Sequence, residues 1–97
     1  MDREATLVFD ADHPAFAGHF PGAPIVPGVL LLDAAVAALE QQTGQRVAQI
    51  ASAKFLRPVA PGQILSLAWD APTATRFEIK SGPHLAASGS LMMEVKA

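Results

Sequence analysis

The stretch PGVLLLDAAVAALEQQTG, from Pro27 to Gly44, constrains this chain more than any other. It strings together strong helix formers with no proline after its first position, and Pro27 suits a first helical turn, where a missing N–H costs nothing. Gly44 stands where a helix commonly ends in a left-handed residue. The pattern predicts one helix over about residues 27–42. Its first three turns carry apolar side chains on almost every side, which suits a helix enclosed by other elements rather than one lying half in water. The rest of the chain must supply the enclosure.

That remainder reads as strands. Ala5, Leu7 and Phe9 alternate with Thr6, Val8 and Asp10, a modest strand signal over residues 5–10. Between Asp12 and Pro27 four prolines and two glycines rule out a regular ladder or helix, so an ordered loop with fixed turns is expected. After the helix, Arg46 to Val59, Gln63 to Asp70, Thr75 to Ser81 and His84 to Lys96 read as four strands. Pro61-Gly62, Ala71-Pro72-Thr73 and Ser81-Gly82-Pro83 separate them, and connections this short imply mostly antiparallel pairing. Thr75 to Lys80 alternates cleanly, so one face there should be wet. The runs Ala48 to Ala53 and Leu85 to Leu91 are rich in small residues, which let a helix or a second backbone approach closely. The expected fold is α+β, an antiparallel sheet curled around one central helix, in a single domain spanning residues 1–97.

Size and charge narrow the partners. A chain of 97 residues gains limited stability from its own core, and a 51% hydrophobic content against 16% charged is high for a small monomer, so association with a second copy is expected. A net charge of −2, with seven basic residues scattered singly, lacks the footprint that nucleic acid requires. Absence of cysteine excludes disulfides, thiolate nucleophiles and cysteine metal sites. The opening residues lack a basic segment followed by an apolar one, and the longest apolar run is broken by Asp33, so a cytoplasmic protein without membrane partners is expected.

The loop and helix start read GHFPGAPIVPGVLLLDAA, from Gly18 to Ala35. One imidazole, His19, sits in a proline-stiffened loop just before a helix N-terminus, and one carboxylate, Asp33, falls near the second helical turn. Imidazole titrates near neutral pH, and neighbours such as Leu30, Leu31, Leu32 and Val36 could desolvate the carboxylate, so each group could exchange a proton with a substrate. Unpaired amides at the helix start, Gly28 among them, could hold negative charge developing on a carbonyl oxygen. Plainer readings compete with these. His19 could fill a turn, and Asp33 could share a solvent stripe with Ala37 and Glu40, at spacings of four and three. His13 and His84 read as turn and strand-start residues. No cluster at metal-ligand spacing appears, so no metal is expected.

Gly18-His19-Phe20-Pro21-Gly22, then Pro24-Ile25-Val26-Pro27-Gly28-Val29-Leu30 and an acid at position 33, resembles the signature of the β-hydroxyacyl-acyl carrier protein dehydratases of the FabZ and FabA type. The 14-residue separation between His19 and Asp33 matches the family's spacing of histidine and acid. Lys54 to Gly62 resembles the strand and turn that follow, and Leu85 to Val95 resembles the last strand. The acid is aspartate, as in the FabA type, while the rest of the motif is nearer FabZ, which carries glutamate. In length the chain is similar to the compact ApeI-like dehydratases.

The resemblance implies a hot-dog fold, a homodimer and dehydration of a 3-hydroxyacyl thioester without a cofactor, in fatty-acid, polyketide or aryl-polyene-type biosynthesis. It implies His19 and Asp33 as catalytic residues, the Gly28 amide as the thioester-oxygen donor, and Phe20, Pro27 and Val29 as substrate contacts. An acyl carrier protein is the expected partner, with Lys54, Arg57 or Arg76 as docking candidates. A hot-dog thioesterase and a noncatalytic acyl-binding or partner subunit are the alternative readings.

Overall fold

The computed structural model describes residues 2–9, 25–71 and 74–94. Its elements run β1 (Arg3–Val8), α1 (Gly28–Thr43), β2 (Val47–Phe55), β3 (Ile64–Trp69), β4 (Arg76–Ser81) and β5 (His84–Met93). The strands form one antiparallel sheet in the order β1-β3-β4-β5-β2. The expected strands are present; β1 lies two residues earlier than expected, and the other four have shorter limits. Strand β2 stops at Phe55 instead of Val59, because the amides of Leu56 and Arg57 both turn to the Ala86 carbonyl, at 2.8 and 3.2 Å, and Pro58 has no N–H to donate. A register shift between Ile79 and Lys80 leaves Ala86 as the extra residue of a β5 bulge, which turns its carbonyl toward the departing chain.

Helix α1 begins and ends within a residue of expectation. Its last turn is closed by Gly44, at φ 71°, whose amide donates to the Glu40 carbonyl at 3.0 Å. The Glu40 carboxylate then accepts the Val47 amide at 2.9 Å, which ties the helix end to the start of β2. Pro61-Gly62 turns as a Pro-Gly pair should, with Gly62 at φ 87° and its amide donating to the Phe9 carbonyl at 2.7 Å. Alternation in β4 is as expected: Phe77 and Ile79 are buried, while Arg76, Glu78 and Lys80 lie on the other face.

The core lies between α1 and one face of the sheet. Leu31, Ala35 and Leu39, spaced by four, form the helix stripe that joins Leu65, Leu67, Phe77 and Ile79 in one buried cluster. Among the described residues the enclosure of the helix is one-sided. Val29 remains 64% exposed, and Leu30, Leu32 and Val36 are only half-buried. Strand β2 is also an edge of the sheet, and most of its residues are exposed.

Candidate active site

Pro27, with ψ at 143°, turns the extended chain into α1, and its carbonyl receives the amides of Leu30 and Leu31 at 3.0 and 3.3 Å. No side chain caps this end. Among the described residues, the Gly28 and Val29 amides have no backbone acceptor, as the geometry of a helix start requires. They carry the positive end of the helix dipole and can donate to an oxygen that gains charge.

Beside this end lies an apolar groove of about 480 Å³, bounded by Ile25 and Gly28 on one side and by Phe55, Leu56 and Pro58 on the other, with Arg57 at its rim. The 2.7 Å bond from the Val26 amide to the Val59 carbonyl fixes the two walls together. Gly28 leaves room there for a neighbour the sequence did not show. The Phe55 ring lies so close that a Cβ on residue 28 would stand 2.9 Å from Phe55 Cζ. Phe55 is the neighbour of the candidate site that sequence reasoning missed, although the alternation of β2 contained the signal: Lys54 faces the outer surface, so Phe55 faces the helix.

Asp33 is exposed and lies in a different groove, with Val36, Ala37 and Glu40 of α1 facing Val47 to Ile50 of β2. Of the expected solvent stripe, Asp33 and Ala37 are exposed, whereas Glu40 is half-buried with its carboxylate on the Val47 amide. The expected desolvation by Leu31 is not observed, because a separation of two residues puts the two side chains on opposite sides of a helix, and Leu31 points to the sheet at 3% exposure. Val29, four residues before Asp33, extends the acid's stripe toward the helix start, and Pro27 is half-buried at the cap. One chain thus places the Gly28 amide and the Asp33 carboxylate on different faces. His19 and Phe20, the other two expected site residues, lie outside the described residues.

Lys54 and Arg76 share a third groove on the outer face of the sheet, together with Glu78 and Ser52, Ser88 and Ser90. Among the described residues no group of three His, Cys, Asp or Glu side chains could hold a metal ion, and no helix is long and apolar enough to cross a membrane.

A helix laid across a five-stranded antiparallel sheet, with open amides at its start, defines the hot-dog class. Solved structures agree: the chain superposes on the dehydratase heterocomplex ApeI:P from Xenorhabdus doucetiae with a TM-score of 0.70 at 26% identity, covering 93% of this chain and 84% of that one. An uncharacterized protein from Erwinia carotovora subsp. atroseptica gives 0.68 at 31% identity, covering 94% and 81%. Residues 2–90 match the family described as ApeI-like, ApeI dehydratase, and the chain belongs to that family. A 3-hydroxyacyl-[acyl-carrier-protein] dehydratase FabZ from Chlamydia trachomatis is 46% identical over 67 residues, which are 58% of this chain and 44% of the relative. The chain thus spans less than half the length of that curated relative.

Proposed function

We propose that this chain dehydrates a 3-hydroxyacyl thioester, carried by an acyl carrier protein, to the trans-2-enoyl thioester. The observation that carries the reading is the helix start: two amides with no backbone acceptor among the described residues, beside an apolar groove, in a chain whose preceding sequence holds the family's histidine motif and whose family and relatives are dehydratases. In this scheme the Gly28 amide holds the thioester oxygen as C2 loses its proton to His19. The C3–O bond breaks while Asp33 holds the departing oxygen. The proton taken from C2 and the hydroxyl lost from C3 leave together as water, so the reaction balances without a metal, nucleotide or redox partner. Phe20, Pro27 and Val29 would line the acyl path, and the enzyme would act in the cytoplasm.

The site is read as shared between two subunits. Asp33 lines a different groove from the one that holds Gly28, β2 is an edge strand among the described residues, and Val29 on the outer side of α1 is largely exposed. A second copy joined along β2 would extend the sheet and could bring its Asp33 toward the first copy's helix start. Because the Xenorhabdus relative is a heterocomplex, the solution mass of the purified protein is the companion measurement.

Two assays test this. Incubation with a trans-2-enoyl thioester should hydrate it, with loss of the conjugated absorbance; release of free thiol would support a thioesterase instead. For the shared site, inactive His19→Ala and Asp33→Asn proteins, unfolded and refolded together, should regain activity. Random pairing makes about half the dimers mixed and leaves about a quarter of all sites with both groups. No recovery after demonstrated subunit exchange would reject sharing while leaving the reaction assay to stand alone.

A further inference from the structure

We propose that Arg57 recognises the phosphate of the substrate's carrier arm, so that the groove at the start of α1 takes the pantetheine portion of the thioester and the guanidinium binds the phosphate beyond it. The proposal rests on the dehydratase reading above. Of all the residues that line this groove, Arg57 alone is charged. A phosphopantetheine arm has the matching distribution: its thioester and amides are neutral, and only the phosphate at the far end carries charge. A planar guanidinium with five donors suits phosphate oxygens in a way that a carbonyl or hydroxyl would not exploit.

Position and freedom also favour Arg57. Its amide is held by the bulged Ala86 carbonyl, and two residues later Val59 is held to Val26, so the side chain springs from a fixed backbone at the groove's edge. The single ion pair among the described residues joins Arg46 to Glu94, which leaves the Arg57 guanidinium without a described carboxylate to neutralise it. Lys54 and Arg76 are poorer candidates. They face the opposite surface of the sheet and share their groove with the Glu78 carboxylate, which opposes an anion. Neither shares a groove with the Gly28 amide, where the thioester would be held.

The test compares 4′-phosphopantetheine with pantetheine, which differ only in the phosphate, by direct titration against the full chain and its Arg57→Ala and Arg57→Lys variants. The wild type should bind the phosphorylated compound about tenfold more tightly, Arg57→Ala should erase that preference, and Arg57→Lys should keep part of it. A wild type with no preference, or a preference that survives Arg57→Ala, overturns the proposal. This binding result is independent of turnover, so an inactive wild type would reject the dehydratase reading alone. Carrier-bound and coenzyme A thioesters then separate the sources of the phosphate. Equal losses on both in Arg57→Ala support phosphate recognition, whereas a loss confined to the carrier-bound substrate overturns it in favour of contact with the carrier's protein surface.

Discussion

Gly89→Ala should be among the most damaging small substitutions in this chain. Gly89 sits in β5 between Phe77 of β4 and Ala53 of β2, its register partners. A Cβ built on it would lie 2.5 Å from the Ser52 carbonyl oxygen, 2.6 Å from Phe77 Cε1 and 2.7 Å from Phe77 Cζ. Neither neighbour can give way easily. The carbonyl belongs to the backbone, and the Phe77 ring is 1% exposed in the centre of the core. Overpacking of a rigid core costs about 1–3 kcal/mol, and two immovable contacts at once place this case at about 3 kcal/mol or more. For a domain of this size that is a fall in Tm of roughly 12 °C or more. Urea unfolding followed by circular dichroism measures the loss. A cost under about 0.5 kcal/mol with an unchanged m-value would refute the packing argument. Phe77→Leu in the same chain should not rescue Gly89→Ala, because the Ser52 carbonyl remains.

Other substitutions separate stability from chemistry. Gly28→Ala places its methyl against Phe55, a ring that is half exposed and can swing aside; unfolding free energy should change by less than about 1 kcal/mol, since alanine favours helix, while turnover falls. Adding Phe55→Leu should restore part of that turnover, and a double variant no better than Gly28→Ala would remove Phe55 from the explanation. Glu40→Ala deletes the acceptor of the Val47 amide and should cost about 1–2 kcal/mol in chemical denaturation; a neutral result would show that water replaces the carboxylate without loss. His19→Ala and Asp33→Asn should each lower turnover by roughly 10²–10⁴ with the circular dichroism spectrum retained, the range for a positioned acid or base. Wild-type-like rates in either variant would remove that residue from the scheme.

Much of the architecture was legible because it depends on local chemistry. Pro27 and Gly44 bracket α1 to within a residue, and Pro61-Gly62 and Gly82 mark turns that need a positive φ. The end of β2 was not legible, since it depends on a bulge at Ala86, some thirty positions away, whose carbonyl captures two amides. The helix's apolar surround was readable as a pattern, but a sequence does not say how much of that surface its own chain covers. The candidate site was proposed from its motif, and the surroundings of its acid were not readable: the exposure of Asp33 goes with the burial of Leu31, which points to the sheet from the other side of the helix. Phe55 escaped notice because its meaning lies in a contact across the fold to Gly28.

The strand order bears on how the chain reaches this structure. Ser81 pairs with His84 across a two-residue turn, whereas Val47 pairs with Met93 and Arg3 with Trp69, separations of 46 and 66 residues. The β3-β4-β5 meander can therefore close early, and β1 and β2 must add to its two sides at the entropic cost of much larger loops. During synthesis β2 emerges well before β5, its one neighbour in the sheet among the described residues. Until β5 arrives, β2 and the apolar helix before it have no finished surface to join, which makes this interval the one in which a nascent chain is most exposed to aggregation.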